Sequence, residues 1–308
     1  MEFGRVLPHE ISAIDFTLPS DGEQTTVTLK SLQPISNPSF YVGCAKWGRK
    51  EWIGLIYPEK TKEKDFLGAY VKHFNSIELN AVFYSLPKED QILKWKAMAD
   101  ANTQKDFLFC PKFSNILSHI KRLNNAAVET DLYLKAITTF GERLGPCFLQ
   151  LSDNFGPKNF PILEAYLKNL PADFKVFVEV RHQDWFKDAT VRKQLFQMLA
   201  KLGKGAAITD ASGRRDCLHM ELTTPEAFIR FVGNGGVFLD SDKARVDEWT
   251  IRIKYWLDQG LEKVYFFLHQ HDEADTPLIA DYTIEQFNKK LGSNLSRINF
   301  ISKQGGLF

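Results

Sequence analysis

The sequence predicts a (β/α)8 barrel, on three observations. From residue 40 onward, eight short apolar, β-rich runs alternate with longer stretches of helical spacing. The runs recur about every 32 residues, the size of one strand–helix unit. No GxGxxG turn follows the first run, which favours a closed barrel over an open doubly wound sheet.

The strand runs are 40–45, 76–80, 107–112, 147–151, 175–181, 206–210, 228–232 and 264–269. The first helix, over 64–74, carries Phe66, Leu67, Tyr70, Val71 and Phe74 along one face. A helix over 88–101 follows Pro87, and the longest, over 126–144, stops at Gly145-Pro146. Helices at 160–170, 190–202, 245–259 and 283–291 complete most of the ring. The connection between 210 and 228 is short and contains Pro225, so its helix is expected to be reduced. Residues 1–38 differ from the rest. They are polar, with Pro8, Pro19, Pro34, Pro38 and the turn-like Ser20-Asp21-Gly22, and read as an extension that wraps the domain or is partly mobile. The barrel domain is then 39–308.

Composition narrows the function. A chain of 308 residues with 44% hydrophobic and 25% charged residues has the balance of a soluble globular domain, and 25 Phe imply a large core. No apolar run approaches the roughly 20 residues of a membrane span, so no membrane partner is expected. The N-terminal MEFGRVLPHEISAIDF lacks a basic flank and apolar core, which argues against a secretory signal. A net charge of +1 argues against a strongly basic nucleic-acid protein. Cys44, Cys110, Cys147 and Cys217 form no CxxC pair, so free thiols in a reducing cytoplasm are expected, and no cofactor is read from the chain.

Barrel strands are covered by helices outside and filled by side chains inside, so polar residues at their C-terminal ends stand out. Glu78 and Asn80 alternate in the second strand, and Glu179 and Arg181 in the fifth, so each pair shares a face. Lys112, Gln150, Asp210, Arg230 and the pair His269 and His271 come from the other strand ends. Seven strands therefore deliver polar groups to one rim, where sites in this fold are built.

The stretch 41–47 (YVGCAKW), with Trp52 and Tyr57-Pro58, resembles the opening glycine–tryptophan motif of the YecE-like family, domain of unknown function 72. The stretch 74–80 (FNSIELN) running to 83–87 (FYSLP) resembles its second and most specific motif. The stretch 109–112 (FCPK) leading to His119, the run from Leu144 to Gln150-Leu151, and 178–182 (VEVRH) with Trp185 are similar to later blocks. The resemblance spans about residues 40–290 and implies a TIM-type barrel, with no activity assigned. The chain departs from the family pattern in four places. Ala45-Lys46 replaces a small Ser-Gly before the tryptophan, and Ser152-Asp153 stands where two prolines are usual. Val232 replaces a histidine, and His269-Gln270-His271-Asp272 replaces an Asn-Asn-Asp-like string. A chemistry that depends on the strand-seven histidine is therefore open to loss.

Glu78 and Glu179 are candidate acid/base groups across the mouth, with His182 and Asp210 in support. Arg181, Arg230, Lys112 and Lys46 form a candidate cationic rim for an anionic or sugar-containing small molecule, a phosphate-containing one included. A nucleic-acid strand is a less favoured ligand. One of the two arginines is expected to keep donors free for an anion. Asn80, His119 and Gln150 are further substrate contacts, and Trp47, Tyr84 and Trp185 are candidate stacking platforms. The leading expectation is a metal-independent enzyme that acts on a polar, anionic or sugar-containing substrate by carboxylate acid/base chemistry, a hydrolase being one class that fits. The alternative is a metal-dependent hydrolase or phosphodiesterase using His269, His271, Glu78 and Asp210. A non-catalytic binding protein is the third.

Overall fold

Alternation along the strands sorts the side chains into two cores, one inside the barrel and one beneath the helices. The computed structural model describes residues 4–103, 106–271 and 273–301. Its strands are β1 (Ser39–Cys44), β2 (Ser76–Leu79), β3 (Leu108–Pro111), β4 (Cys147–Gln150), β5 (Val176–Glu179), β6 (Gly205–Asp210), β7 (Glu226–Gly233) and β8 (Lys263–Gln270). All pair in parallel, in the order β3-β2-β1-β8-β7-β6-β5-β4. The seam between β3 and β4 is joined by Gly145 N donating to Phe109 O (2.8 Å) and Phe113 N to Phe148 O (2.9 Å). The expected (β/α)8 barrel is the observed fold.

The helices are α1 (Glu23–Lys30), α2 (Phe66–Tyr70), α3 (Ala81–Tyr84), α4 (Glu89–Asn102), α5 (Ala127–Thr138), α6 (Phe160–Lys168), α7 (Asp184–Lys187), α8 (Ala189–Lys201), α9 (Leu239–Asp258) and α10 (Thr276–Leu291). The β6–β7 connection carries only short 3-10 structure over Ser212–Cys217, interrupted by a kink at Arg214, in place of a full helix. Helix α1, which the sequence reading lacked, packs beside this connection. Thr25 Oγ1 donates to Met220 O (2.7 Å) and accepts from Leu222 N (2.6 Å), and Thr28 Oγ1 donates to Leu222 O (2.8 Å). Asp21 anchors the same segment to α9 through Arg252 (2.6 Å) and Trp256 (3.1 Å).

Inside the barrel, Phe148, Phe177, Phe228, Tyr265 and Phe267 form an aromatic plug with Cys110 and Ala207. Gly205 makes room for it, since a Cβ there would lie 2.2 Å from the Phe177 ring. The four cysteines are buried and unbridged. Among the described residues, no helix is long and apolar enough to cross a membrane.

Candidate functional site

The aromatic plug is the floor of the barrel mouth, and the polar strand-end residues stand above it. Arg230, on β7, lies with its guanidinium carbon 5.1 Å from the Phe148 ring centre. All three of its nitrogens donate to carboxylates. Nε and Nη2 clasp Glu78 Oε2 (2.7 Å) and Oε1 (2.9 Å), while Nη1 reaches Glu179 Oε2 (2.6 Å). One guanidinium thus bridges the two carboxylates across the barrel, in the bidentate geometry that a planar fork permits.

The surroundings of each carboxylate are filled further. Glu78 accepts from Asn80 Nδ2 (2.9 Å), and His269 Nε2 lies 3.0 Å from its Oε2. Glu179 accepts from Arg181 Nε (2.5 Å), whose Nη2 donates to Gln150 Oε1 (2.8 Å). Burial by itself would raise both carboxyl pKa values. Arg230 and then His269 outweigh it at Glu78, holding that group well below the usual carboxylate range. Arg181 and then Arg230 do so at Glu179, which is held at about 2. Both carboxylates are therefore ionised and engaged at neutral pH.

Lys112 follows β3 and points into the same mouth, where it is 8% exposed. Its Nζ donates to Gln150 Oε1 (2.9 Å) and lies 4.1 Å from the Phe83 ring centre and 5.7 Å from that of Phe148. Burial, then the neighbouring Arg230, pull its pKa down to about 7, against the smaller opposing pull of Glu78 and Glu179. His119 is half-buried with its ring 5.1 Å from Phe83. Burial and then Lys112 hold its pKa below the ordinary imidazole value.

Glu78, Asn80, Lys112, Gln150, Glu179, Arg181, Arg230 and His269 form one hydrogen-bonded network, with His119 beside it across Phe83. At its edge, Arg181 and His182 line a cavity of about 300 Å3 with Asp153, Gln183, Arg214 and Asp216. His182 Nδ1 accepts there from Asp184 N (3.2 Å).

Four placements differ from the sequence expectation. Asp210 faces the helix layer, where it pairs with Arg215 and Arg245 and accepts from Trp249 Nε1 (2.8 Å). Thr209 takes the inward position beside it, and its buried Oγ1 has no hydrogen-bond partner. The β6 parity, with Ala206 and Ile208 against the helices and Gly205 and Ala207 inside, is the signal that separates the two. Trp185 is fully buried and donates to Phe155 O (2.7 Å), so it is a core residue and no stacking platform. Trp47 packs edge-on against Trp95 of α4 (5.4 Å) and lines a cavity on the flank of the barrel between α2 and α4. Arg230, one of the two arginines expected to keep donors free for an anion, gives all three of its nitrogens to Glu78 and Glu179. Lys46 is exposed, and Tyr84 is 78% exposed at the end of α3.

The alternative metal set is not assembled. His269 is engaged with Glu78, Asp210 faces away, and Asp272 lies outside the described residues. His271 N donates to Gly233 O (3.2 Å). No group of three His, Cys, Asp or Glu among the described residues is arranged to hold a metal ion.

Comparison with known proteins places this geometry in context. The model of the family described as protein of unknown function DUF72 matches residues 41–298. The UPF0759 protein YecE of Escherichia coli strain K12 is 28% identical over 286 residues, covering 87% of this chain and 99% of that protein. The protein of the same name from Escherichia coli O157:H7 matches equally, at 28% identity over 286 residues. Among solved structures, the DUF72 family protein EF0366 of Enterococcus faecalis V583 superposes with a TM-score of 0.62 at 17% identity, over 84% of this chain and 99% of that one. The DUF72 family protein TM1631 of Thermotoga maritima MSB8 gives 0.62 at 21% identity, over 83% and 100%. At these identities the structural likenesses establish the fold.

Proposed function

The chain belongs to the DUF72 family of proteins of unknown function, and from that premise we propose that its barrel mouth binds a small anionic substrate and exchanges a proton with it through Lys112. One observation carries the reading. Among the described residues, the buried network sets three cationic side chains, Lys112, Arg181 and Arg230, against two carboxylates, Glu78 and Glu179. The carboxylates are already shared by the arginines. The Lys112 ammonium has an amide oxygen and two ring faces as neighbours, which stabilise a cation less than a carboxylate does. Burying an uncompensated charge costs several kcal/mol, so the ammonium either loses its proton or recruits an anion.

Carboxylate acid/base chemistry fits this geometry less well. A general acid or base works best with a pKa near the operating pH, and Glu78 and Glu179 are both held far below it. Their bonds to Arg230 make them its anchors. Burial holds Lys112, in the same network, at about 7, close to that pH. Arg181, which shares the Gln150 oxygen with Lys112, lines a cavity of about 300 Å3 at the edge of the network.

Isothermal titration with sulfate, which carries a constant charge across neutral pH, tests the reading. Saturable binding is expected at pH 6.5, weakening by up to about tenfold per pH unit above 7 as the ammonium deprotonates. Lys112→Gln is expected to abolish this pH dependence. Binding that Lys112→Gln leaves unchanged, or no binding to a folded wild-type chain, refutes it.

A further inference from the structure

We propose that Lys112 is a nucleophile that condenses with the carbonyl group of an anionic aldehyde or ketone to form an imine at the barrel mouth. This rests on the anion-binding reading and names the substrate class of the same site.

The placement meets the demands of that chemistry. Imine formation needs a neutral amine, a form favoured by an apolar setting or by neighbouring positive charge. Lys112 Nζ stands against Phe83 at 4.1 Å and over Phe148 at 5.7 Å. Arg230 shares the Phe148 floor, and Arg181 shares the Gln150 Oε1 acceptor with Lys112. Two guanidiniums that stay charged thus flank an amine that does not have to. At pH 7 about half of a group titrating at about 7 is free amine, whereas an ordinary lysine is almost wholly protonated. Arg181, which lines the cavity at the edge of the network, can hold the substrate's anionic group.

The step balances without a redox partner. The Lys112 lone pair attacks the carbonyl carbon, and the C=O π electrons move to oxygen, which takes a proton. Nitrogen gives up a proton, leaving a neutral carbinolamine. The C–O bond then breaks, its oxygen departs as water after a second protonation, and the nitrogen lone pair closes the C=N bond of a cationic iminium. Overall, amine, carbonyl and one proton give iminium and water. Glu78 and Glu179 cannot supply the proton, because both are ionised and bound to arginine. His119, half-buried and edge-on against the Phe83 ring that lies over Lys112, can relay the proton from solvent, one ring nitrogen taking it up as the other gives one on. The iminium replaces the ammonium's charge at the same point, so the network beneath is undisturbed.

The test is trapping with glyoxylate, an aldehyde that carries a carboxylate, in the presence of cyanoborohydride, followed by peptide mapping of the full chain. Rapid carboxymethylation of Lys112 is expected, with a rate that levels off above about pH 7, while exposed lysines keep reacting faster up to about pH 10. Sulfate is expected to protect Lys112 selectively. Lys112→Arg, which keeps the charge, is expected to lose the fast phase. Because mapping is done on the wild-type chain, a variant that fails to fold does not decide the outcome. Lys112 modified no faster than exposed lysines overturns the proposal, even where sulfate binds and the anion reading stands. Fast labelling of Lys112 without sulfate binding upholds the imine and overturns the anion reading.

Discussion

Arg230 is the residue on which the charge balance of the mouth turns. Its three nitrogens bind Glu78 and Glu179, both almost fully buried. Arg230→Ala leaves two buried carboxylates without their shared partner and is expected to cost about 3–5 kcal/mol in urea unfolding. Arg230→Lys should recover little of this, because a point charge cannot bridge two carboxylates as a planar fork does. A loss below about 1 kcal/mol would show that the bridge is dispensable. Lys112 makes a prediction of the opposite sense. Its folded pKa of about 7 lies below the ordinary 10.5. Below pH 7 both folded and unfolded chains carry the proton, and the cost of burying it is fully present. Between about 7 and 10.5 the unfolded chain binds more protons, so stability rises with pH across that window, by up to about 1.4 kcal/mol per unit. Comparing unfolding midpoints of wild type and Lys112→Met at pH 7 and 9 isolates this slope, which should be missing from the variant. At this scale the sequence revealed which residues meet at the mouth, because strand-end position and alternation are local properties. It did not reveal which cation is spare, since that depends on how three chains of side-chain donors are shared out across the barrel.

At the scale of elements, β6 and α9 hold one another through Asp210. Its carboxylate accepts from Trp249 and pairs with Arg245, both on α9, and with Arg215 in the following turn. Asp210→Asn is expected to destabilise the chain by about 2–3 kcal/mol in urea unfolding while leaving sulfate binding unchanged, because the residue faces away from the mouth. A variant of normal stability with impaired sulfate binding would place Asp210 in the site after all. Strand identity was legible from apolar runs at all eight positions. The facing of β6 was harder, because Thr209 and Asp210 are adjacent and both polar, so one step in register exchanges them. Helix α1 escaped notice for a related reason. It buries two threonines and one leucine against the β6–β7 connection, and its stability comes from those tertiary contacts more than from an apolar stripe.

Across the whole molecule, an aromatic plug closes the barrel from within and presents its ring faces to the cations above. That floor excludes water from one side of the network, which strengthens the arginine–carboxylate bonds and penalises the unshared ammonium of Lys112. The repeat of eight near-equal units made this architecture readable from the sequence, but the depth of the plug, which sets how dry the mouth is, depends on pairings such as Gly205 with Phe177 that join distant segments. The central claim, that Lys112 is a desolvated cation awaiting an anion, is tested most directly by carbon-13 NMR of lysine ε-carbons, with the Lys112 resonance assigned by its loss in Lys112→Arg. The account predicts titration near pH 7 in the free protein and a clear upward shift on saturation with sulfate. Titration near the ordinary 10.5, or a midpoint that sulfate leaves in place, would contradict it.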